Sequence, residues 1–360
     1  MNNRQRFIDI MHYEPIDRLP IHLTNIWPDT MARWVDEGYP EGMPPEAYFD
    51  IEPMPRKHLG IATWPYPPHE ERVVEETEDE IIRIDGYGRT VRDFKNATSM
   101  PEWIDFPVKT PDDLRRFIDD HFSLDRLEER VPDDFEKNLD HYENNPDHNT
   151  LLFLDGGCYY WTLRSITGVE LASLMFYDAP ELVDELFEKI NRVCLEGMRR
   201  VLPRVKVDYI GFGEDIAYKT STLISPDMFD KYLAPRYRAI MDLAGEHGVD
   251  ITWYDSDGNL FPFMDRYLDI GINGFAPCEV AAGMDPVAMR ERFGREVRIV
   301  GGFDKRLIAR GPKAIDAEFE RLRPVIDQGG YLPSIDHSVS ADISLENYRY
   351  FVEKLKGYRR

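Results

Sequence analysis

Residues 252–262 read TWYDSDGNLFP: a short apolar run, two carboxylates, then a Gly-Asn pair able to turn the chain. Such a stretch is either a solvated turn or the carboxyl end of a buried strand whose loop carries chemistry. The surrounding sequence favours the second. From residue 150 onward one pattern repeats: an apolar run, a polar or Gly-containing turn, then an amphipathic stretch of helical length. The runs are LLFLDGG (151–157), VDYIGFGED (207–215), VDITWYDSDG (249–258), INGFAPCE (272–279), VRIVGGFDK (297–305) and YLPSIDH (331–337). Several are apolar on both faces, as strands buried between two layers must be. Six such runs with helices between them predict serial βα units, hence an α/β fold that is either a (β/α) barrel or a doubly wound sheet.

Helix signals fill the intervals. Ser225-Pro226-Asp227 offers a capping hydroxyl, a proline at the first helical position and an early acid that complements the helix dipole. Apolar residues from Met228 to Ala244 then recur at three- and four-residue steps. Leu345, Tyr348, Phe351, Val352 and Leu355 predict a closing helix in the same way. The first 150 residues are less regular. RLPIHLT (18–24) reads as a first strand, DEIIRIDGYGRTVRDF (79–94) as a hairpin turning near Asp85-Gly86, and the Pro-rich stretches 40–55 and 65–68 as loops. The chain reads as one domain, 1–360, with residues of about 40–150 forming an insertion or lid; seven strands are counted and the eighth has no clear position.

Composition narrows the function. The 360 residues carry 42% hydrophobic content, and no apolar stretch approaches the ~20 residues of a membrane span. A formal charge of −23 disfavours nucleic acid, anionic membranes and polyanionic substrates, which need clustered Lys and Arg. Three widely spaced cysteines and an N-terminus lacking an apolar signal segment predict a cytoplasmic protein without disulfides.

The chemistry is expected where the runs end. Asp155, Glu214, Asp215, Asp255, Asp257, Glu279, Asp304 and Asp336 with His337 all stand at such ends, and parallel βα units bring these ends to one face. Any one acid could simply cap the helix that follows it. Together, carboxylates crowded in a partly dry mouth must raise a pKa or bind a cation. With His337 and Cys278 adding softer donors, the set predicts a divalent-metal site, zinc foremost. The spacing contains no HExxH or CxxC signature, no dinucleotide or phosphate loop, and no nucleophile elbow. Trp161 and Phe303, among other aromatics, are expected to line or underlie the mouth, although each is equally suited to core packing.

The segments NRQRFIDIMHYEPIDRLPI (3–21), SPDMFDKYLAPRYRAI (225–240), DSDGNL (255–260), GGFDKRLIARGPKAI (301–315) and PSIDHSVSADISLENYRYF (333–351) together resemble the uroporphyrinogen decarboxylase superfamily, in order and over nearly the whole chain. The resemblance implies a (β/α)8 TIM barrel with its site at the C-terminal mouth. The decarboxylases of the family carry an arginine-rich RQAGRY motif; after RLPI this chain instead reads HLTNIWPDTMARWVDEGYP, which lacks that cationic grip. The Trp27 to Trp34 stretch followed by EGYP is similar to the branch associated with methyl transfer to or from corrinoid proteins. Zinc-dependent methyltransferases of the family use a His-x-Cys pair where this chain has Asp255-Ser256-Asp257, so a metal here would rest on Glu214, Asp257, Glu279, Asp304 and His337.

The resemblance thus implies a cytoplasmic methyltransferase that demethylates a small O-methyl or N-methyl compound in concert with a separate corrinoid protein. Asp257, His337 and Glu214 are the expected catalytic residues, with Asp304 in support. Tyr218, Lys219 and Asn259 would orient substrate, and Asp255 reads as structural. The reverse transfer from a corrinoid to an acceptor, a decarboxylase and a non-catalytic ligand-binding barrel are the alternatives. A homodimer is expected by analogy with the family.

Overall fold

The computed structural model describes residues 1–95 and 100–358. Among these, eleven strands form two sheets. β1 (Arg56–His58), β6 (Leu151–Asp155), β7 (Tyr209–Gly213), β8 (Thr252–Asp255), β9 (Gly274–Ala276), β10 (Arg298–Phe303) and β11 (Tyr331–Ile335) make a seven-stranded sheet in that order, all neighbours parallel. β2 (Arg72–Glu76), β3 (Glu80–Ile84), β4 (Thr90–Phe94) and β5 (Glu102–Asp105) make an antiparallel sheet. All six apolar runs from residue 150 onward are strands of the parallel sheet, and helices alternate with them. β11 is buried at every position and β10 at all but its first residue. Both faces are therefore covered, by helices outside and by the opposing strands inside.

The parallel sheet curls: Arg56 on one edge strand, Asp255 in the middle and Ser334 on the other edge strand line one cavity. It does not close as an eight-stranded barrel among the described residues. The expected first strand, 18–24, carries Leu19 and Ile21 into the core but joins no ladder. Pro20 has no N–H to donate, which removes one ladder bond at the outset. Pairing appears only at the end of this segment, where Ile26 bridges Val339 and the Trp27 N–H and Asn25 carbonyl bond to Val339. β1 lies instead within the stretch expected to be an insertion, directly after the Pro-rich loop.

The hairpin expected at residues 79–94 is β3–β4. Asp85 accepts the backbone N–H groups of Tyr87 and Arg89 to form its turn, and Arg89 returns to pair with the same carboxylate. The helix expected after Ser225 begins as predicted, with Ser225 Oγ accepting the Met228 N–H. It widens into a π turn at Phe229–Leu233 before continuing as Ala234–Glu246. Pro235 is the cause, since it cannot donate to the Lys231 carbonyl one turn back; the Arg236 guanidinium takes up the Lys231 and Tyr232 carbonyls instead. The closing helix, Leu345–Gly357, is capped by Ser344 and buries the five predicted apolar residues.

Candidate active site

β8 ends at Asp255, and the loop beyond it is fixed on both sides. Ser256 Oγ accepts the Ile216 N–H, the Asp257 N–H donates to Asp215 Oδ1 at 3.1 Å, and the Gly258 N–H donates to Glu279 Oε2 at 3.2 Å. Gly258 is obligatory here: its φ is +85°, and a Cβ would come within 2.7 Å of the Ala217 carbonyl carbon. The opening stretch is therefore a strand end held against its neighbours, and not a free turn.

Inside the curl lies a cavity of about 330 Å³. Barrel interiors are ordinarily filled by bulky branched side chains. Here several lining positions carry small residues, Ala276, Gly301 and Ser334, and the space stays open. Trp253, Asp255 and Asp257 succeed one another at two-residue steps and all line it, so strand alternation sets them in a row from floor to mouth. Trp253 forms the floor with Arg56, whose guanidinium lies 4.9 Å from the centre of its ring, and with His22, whose ring meets it edge-on at 5.3 Å. Asp257 and His337 stand at the mouth, with Asp257 Oδ2 3.2 Å from His337 Nε2.

The electrostatics differ along this row. Asp255 is open to the cavity yet set deep among protein atoms, so water reaches it without solvating it fully. That desolvation, with Asp215 and Asp257 nearby, pushes its pKa up to about 7. Among the described residues its carboxyl makes no hydrogen bond or ion pair. Burial likewise raises the Asp215 pKa, although it accepts the Asp257 N–H and lies 3.5 Å from Arg164. The bond to Asp257 raises the pKa of His337, outweighing burial. Burial beside Arg56 drops His22 to about 3, which keeps its ring neutral. Two buried polar atoms lining the cavity, Ser334 Oγ and His337 Nδ1, have no partner among the described residues.

Other expected site residues stand elsewhere. Glu214 is completely buried behind the sheet, where it accepts the Tyr159 N–H at 2.8 Å, the Trp161 N–H at 3.0 Å and the Tyr237 hydroxyl at 2.8 Å. It closes the start of the helix Tyr159–Thr167, and desolvation raises its pKa to about 7. Asp304 accepts the Arg306 N–H and pairs with its guanidinium, which holds its pKa low despite burial. Asp336 accepts the Val280 and Lys305 N–H groups, and burial raises its pKa to about 6. Cys278 is buried, with its thiol donating to the Phe275 carbonyl.

Of the six expected metal donors, the structure brings Asp257 and His337 into contact, with Glu279 bonded to the same loop. Glu214, Asp304 and Cys278 are turned to backbone groups or an arginine. Among the described residues no group of three or more His, Cys, Asp or Glu is arranged to hold a metal ion, so the expected zinc set does not fit this geometry.

Phe303 is fully buried on the outer side of the sheet, against Phe319 and Phe351 at ring distances of 5.0 and 4.7 Å. Trp161 packs on Trp103 of the antiparallel sheet at 5.6 Å. Tyr218 and Lys219 are exposed, and Asn259 uses its side chain to accept the Phe261 N–H. None of these five lines the cavity. The sequence reading passed over Arg56 and His22. The signal it offered was a lone arginine directly after a Pro-rich loop and a histidine following the RLPI motif.

A family model described as uroporphyrinogen decarboxylase (URO-D) matches residues 160–358. No curated protein matches the chain. Among solved structures, a methyltransferase from Methanosarcina mazei superposes with a TM-score of 0.57 at 16% identity, covering 99% of this chain and 98% of that one. A protein assigned as a vitamin-B12 independent methionine synthase from Listeria monocytogenes gives a TM-score of 0.33 at 11% identity, over 61% of this chain and 68% of that one; so slight a likeness does not bear on the fold. No helix among the described residues is long and apolar enough to cross a membrane.

Proposed function

The chain belongs to the uroporphyrinogen decarboxylase (URO-D) family, and we propose that within it this protein is a methyltransferase that removes the methyl group from a small O-methyl or N-methyl compound in concert with a separate corrinoid protein. The observation that carries the reading is Asp255: a carboxyl open to the cavity, without a partner, and with a pKa of about 7. A carboxyl of that kind still holds its proton near neutrality, where an ordinary aspartate has lost it. Methyl transfer away from oxygen needs such a donor, because an alkoxide or phenoxide is a poor leaving group. The fold shared over its whole length with a methyltransferase agrees with this choice of reaction.

In this mechanism the substrate sits along the row from Trp253 to Asp257 with its methyl group toward the mouth. A reduced corrinoid on the partner protein would supply the nucleophile for the methyl group. As the bond between carbon and the heteroatom breaks, its electron pair stays on the heteroatom, and the Asp255 carboxyl delivers its proton there. His337, kept toward its protonated form by Asp257, returns a proton to the site. Ser334 Oγ, buried and unpartnered, is available to orient the substrate. Polycarboxylate decarboxylation fits less well: the lining offers one guanidinium, Arg56, against three carboxylates, Asp215, Asp255 and Asp257.

The test is incubation with O-methyl and N-methyl compounds and a reduced corrinoid protein, followed by mass spectrometry of the small molecules. The demethylated hydroxy or amino product should form only with all components present. Binding without turnover across such a panel would sink the reading and leave a ligand-binding barrel.

A further inference from the structure

The cavity is chemically polarised. At its mouth stand the carboxyl groups and His337; at its floor stand Arg56 and the neutral ring of His22. The Arg56 guanidinium lies 4.9 Å from the centre of the Trp253 ring, with the Tyr209 hydroxyl as a hydrogen-bond partner, and among the described residues it makes no ion pair with any Asp or Glu. Arg56 is exposed at this lining position, so in a chain with 67 acidic and 44 basic residues it presents to the cavity an accessible cation that no carboxylate among the described residues neutralises. The Tyr209 hydroxyl engages only part of the guanidinium's five N–H donors, and the remainder suit a carboxylate. His22 beside it can donate one N–H without adding a second charge. The orphaned Ser334 Oγ supplies a further buried polar contact in the same space.

We propose that Arg56, supported by His22, is the anchor for a carboxylate on the substrate, so that the protein takes a small methoxylated monocarboxylic acid, anionic end first. This deepens the methyltransferase reading and rests on it. Asp255 stands two residues along β8 from Trp253, a strand advance of about 6–7 Å. A carboxylate on the floor therefore sets an ether oxygen near Asp255 when about the width of an aromatic ring separates the two, and turns the methyl group toward the mouth. Arg56 is then a specificity residue that binds substrate and takes no part in the proton transfer.

The experiment is calorimetric binding to the full chain of four probes: 4-methoxybenzoate, the methyl-free 4-hydroxybenzoate, the uncharged 4-methoxybenzyl alcohol, and a trimethylammonium compound without a carboxylate. Both acids should bind at least tenfold more tightly than the alcohol. Arg56→Gln should weaken both acids at least tenfold and leave the alcohol unchanged, and Arg56→Lys should recover part of the loss. Equal binding of acid and alcohol, failure of both acids to bind at millimolar concentration, or preference for the trimethylammonium probe would each overturn the proposal. An equal loss of all probes in Arg56→Gln would overturn it too, marking Arg56 as a prop for Trp253. Because 4-hydroxybenzoate has no methyl to give, its binding tests the anchor apart from the reaction. Acid binding through Arg56 with no methyl transfer would retain the anchor and remove the methyltransferase reading.

Discussion

Asp257 Oδ2 lies 3.2 Å from His337 Nε2, while the opposite ring nitrogen, Nδ1, is buried and has no partner among the described residues. The carboxylate favours the protonated ring, so replacing it should lower the His337 pKa. The expected outcome in Asp257→Asn is a downward shift of the His337 ring titration, read by NMR, with the fold intact. An unchanged titration would show that the two side chains do not interact in solution.

Asp255→Asn should lower kcat by about 10²- to 10⁴-fold, the usual worth of a positioned acid. The sign with pH follows from the role. Asp255 must be protonated, so in the wild-type enzyme the rate should fall as pH rises above about 7. The variant should lose that limb. A pH–rate profile of both proteins checks the assignment, and a retained limb would move it to another group.

Glu214→Ala should destabilise without acting on the cavity. Its loss leaves the Tyr159 and Trp161 N–H groups and the Tyr237 hydroxyl buried and unpaired, at a cost of about 3 kcal/mol. Urea unfolding measures this. A neutral effect on stability coupled to a large loss of turnover would return Glu214 to the catalytic role first expected for it.

The stability that Glu214 contributes should fall as pH rises from about 6.5 to 8. Glu214, with a folded pKa of about 7 against an ordinary 4.5, holds its proton in the native state after the unfolded chain has released it. The native state then binds more protons, and stability declines with pH by about 1 kcal/mol from this residue alone. His337, raised by Asp257, acts in the same direction. His22, His69, His121 and His148 are lowered; the unfolded histidines are still half protonated at about 6.5, so these four oppose the decline up to about pH 7.5 and cease to act only above it. The difference in urea midpoint between the wild type and Glu214→Gln, measured at the two pH values, checks the sign: it should be smaller at about pH 8 than at about 6.5.

Gly301→Ala should cost about 3 kcal/mol or more. Its φ is +94°, and a Cβ would come within 1.9 Å of the Pro277 carbonyl oxygen, a backbone atom that cannot move aside cheaply. Thermal unfolding of the variant measures the cost.

The parallel sheet was legible because its strands are buried on both sides and read as uninterrupted apolar runs; every run from residue 151 onward became a strand. β1 was not legible. Arg56-Lys57-His58 is polar throughout and belongs to the sheet through pairing with β6, a long-range contact that no local pattern encodes. The error at residues 18–24 is the converse, an apolar segment buried without a ladder. At the site, position in sequence told which acids stand at strand ends but not which way they face. Asp257 and His337 meet, whereas Asp304 and Glu214 are consumed by a neighbouring arginine and by a helix start. Asp255 shows the same limit: read as structural, it turned out to face the cavity unpartnered.

The segment from His22 to Thr24 walls the cavity while belonging to no ladder among the described residues. A side chain exchanged on a regular strand must keep register with both neighbours, and a shift there propagates across the sheet. These three positions are free of that constraint. Selection can therefore refit this wall to a new ligand while the proton-handling wall on β8 and beyond β11 stays as it is, so relatives with the same chemistry and different ligands should diverge first here.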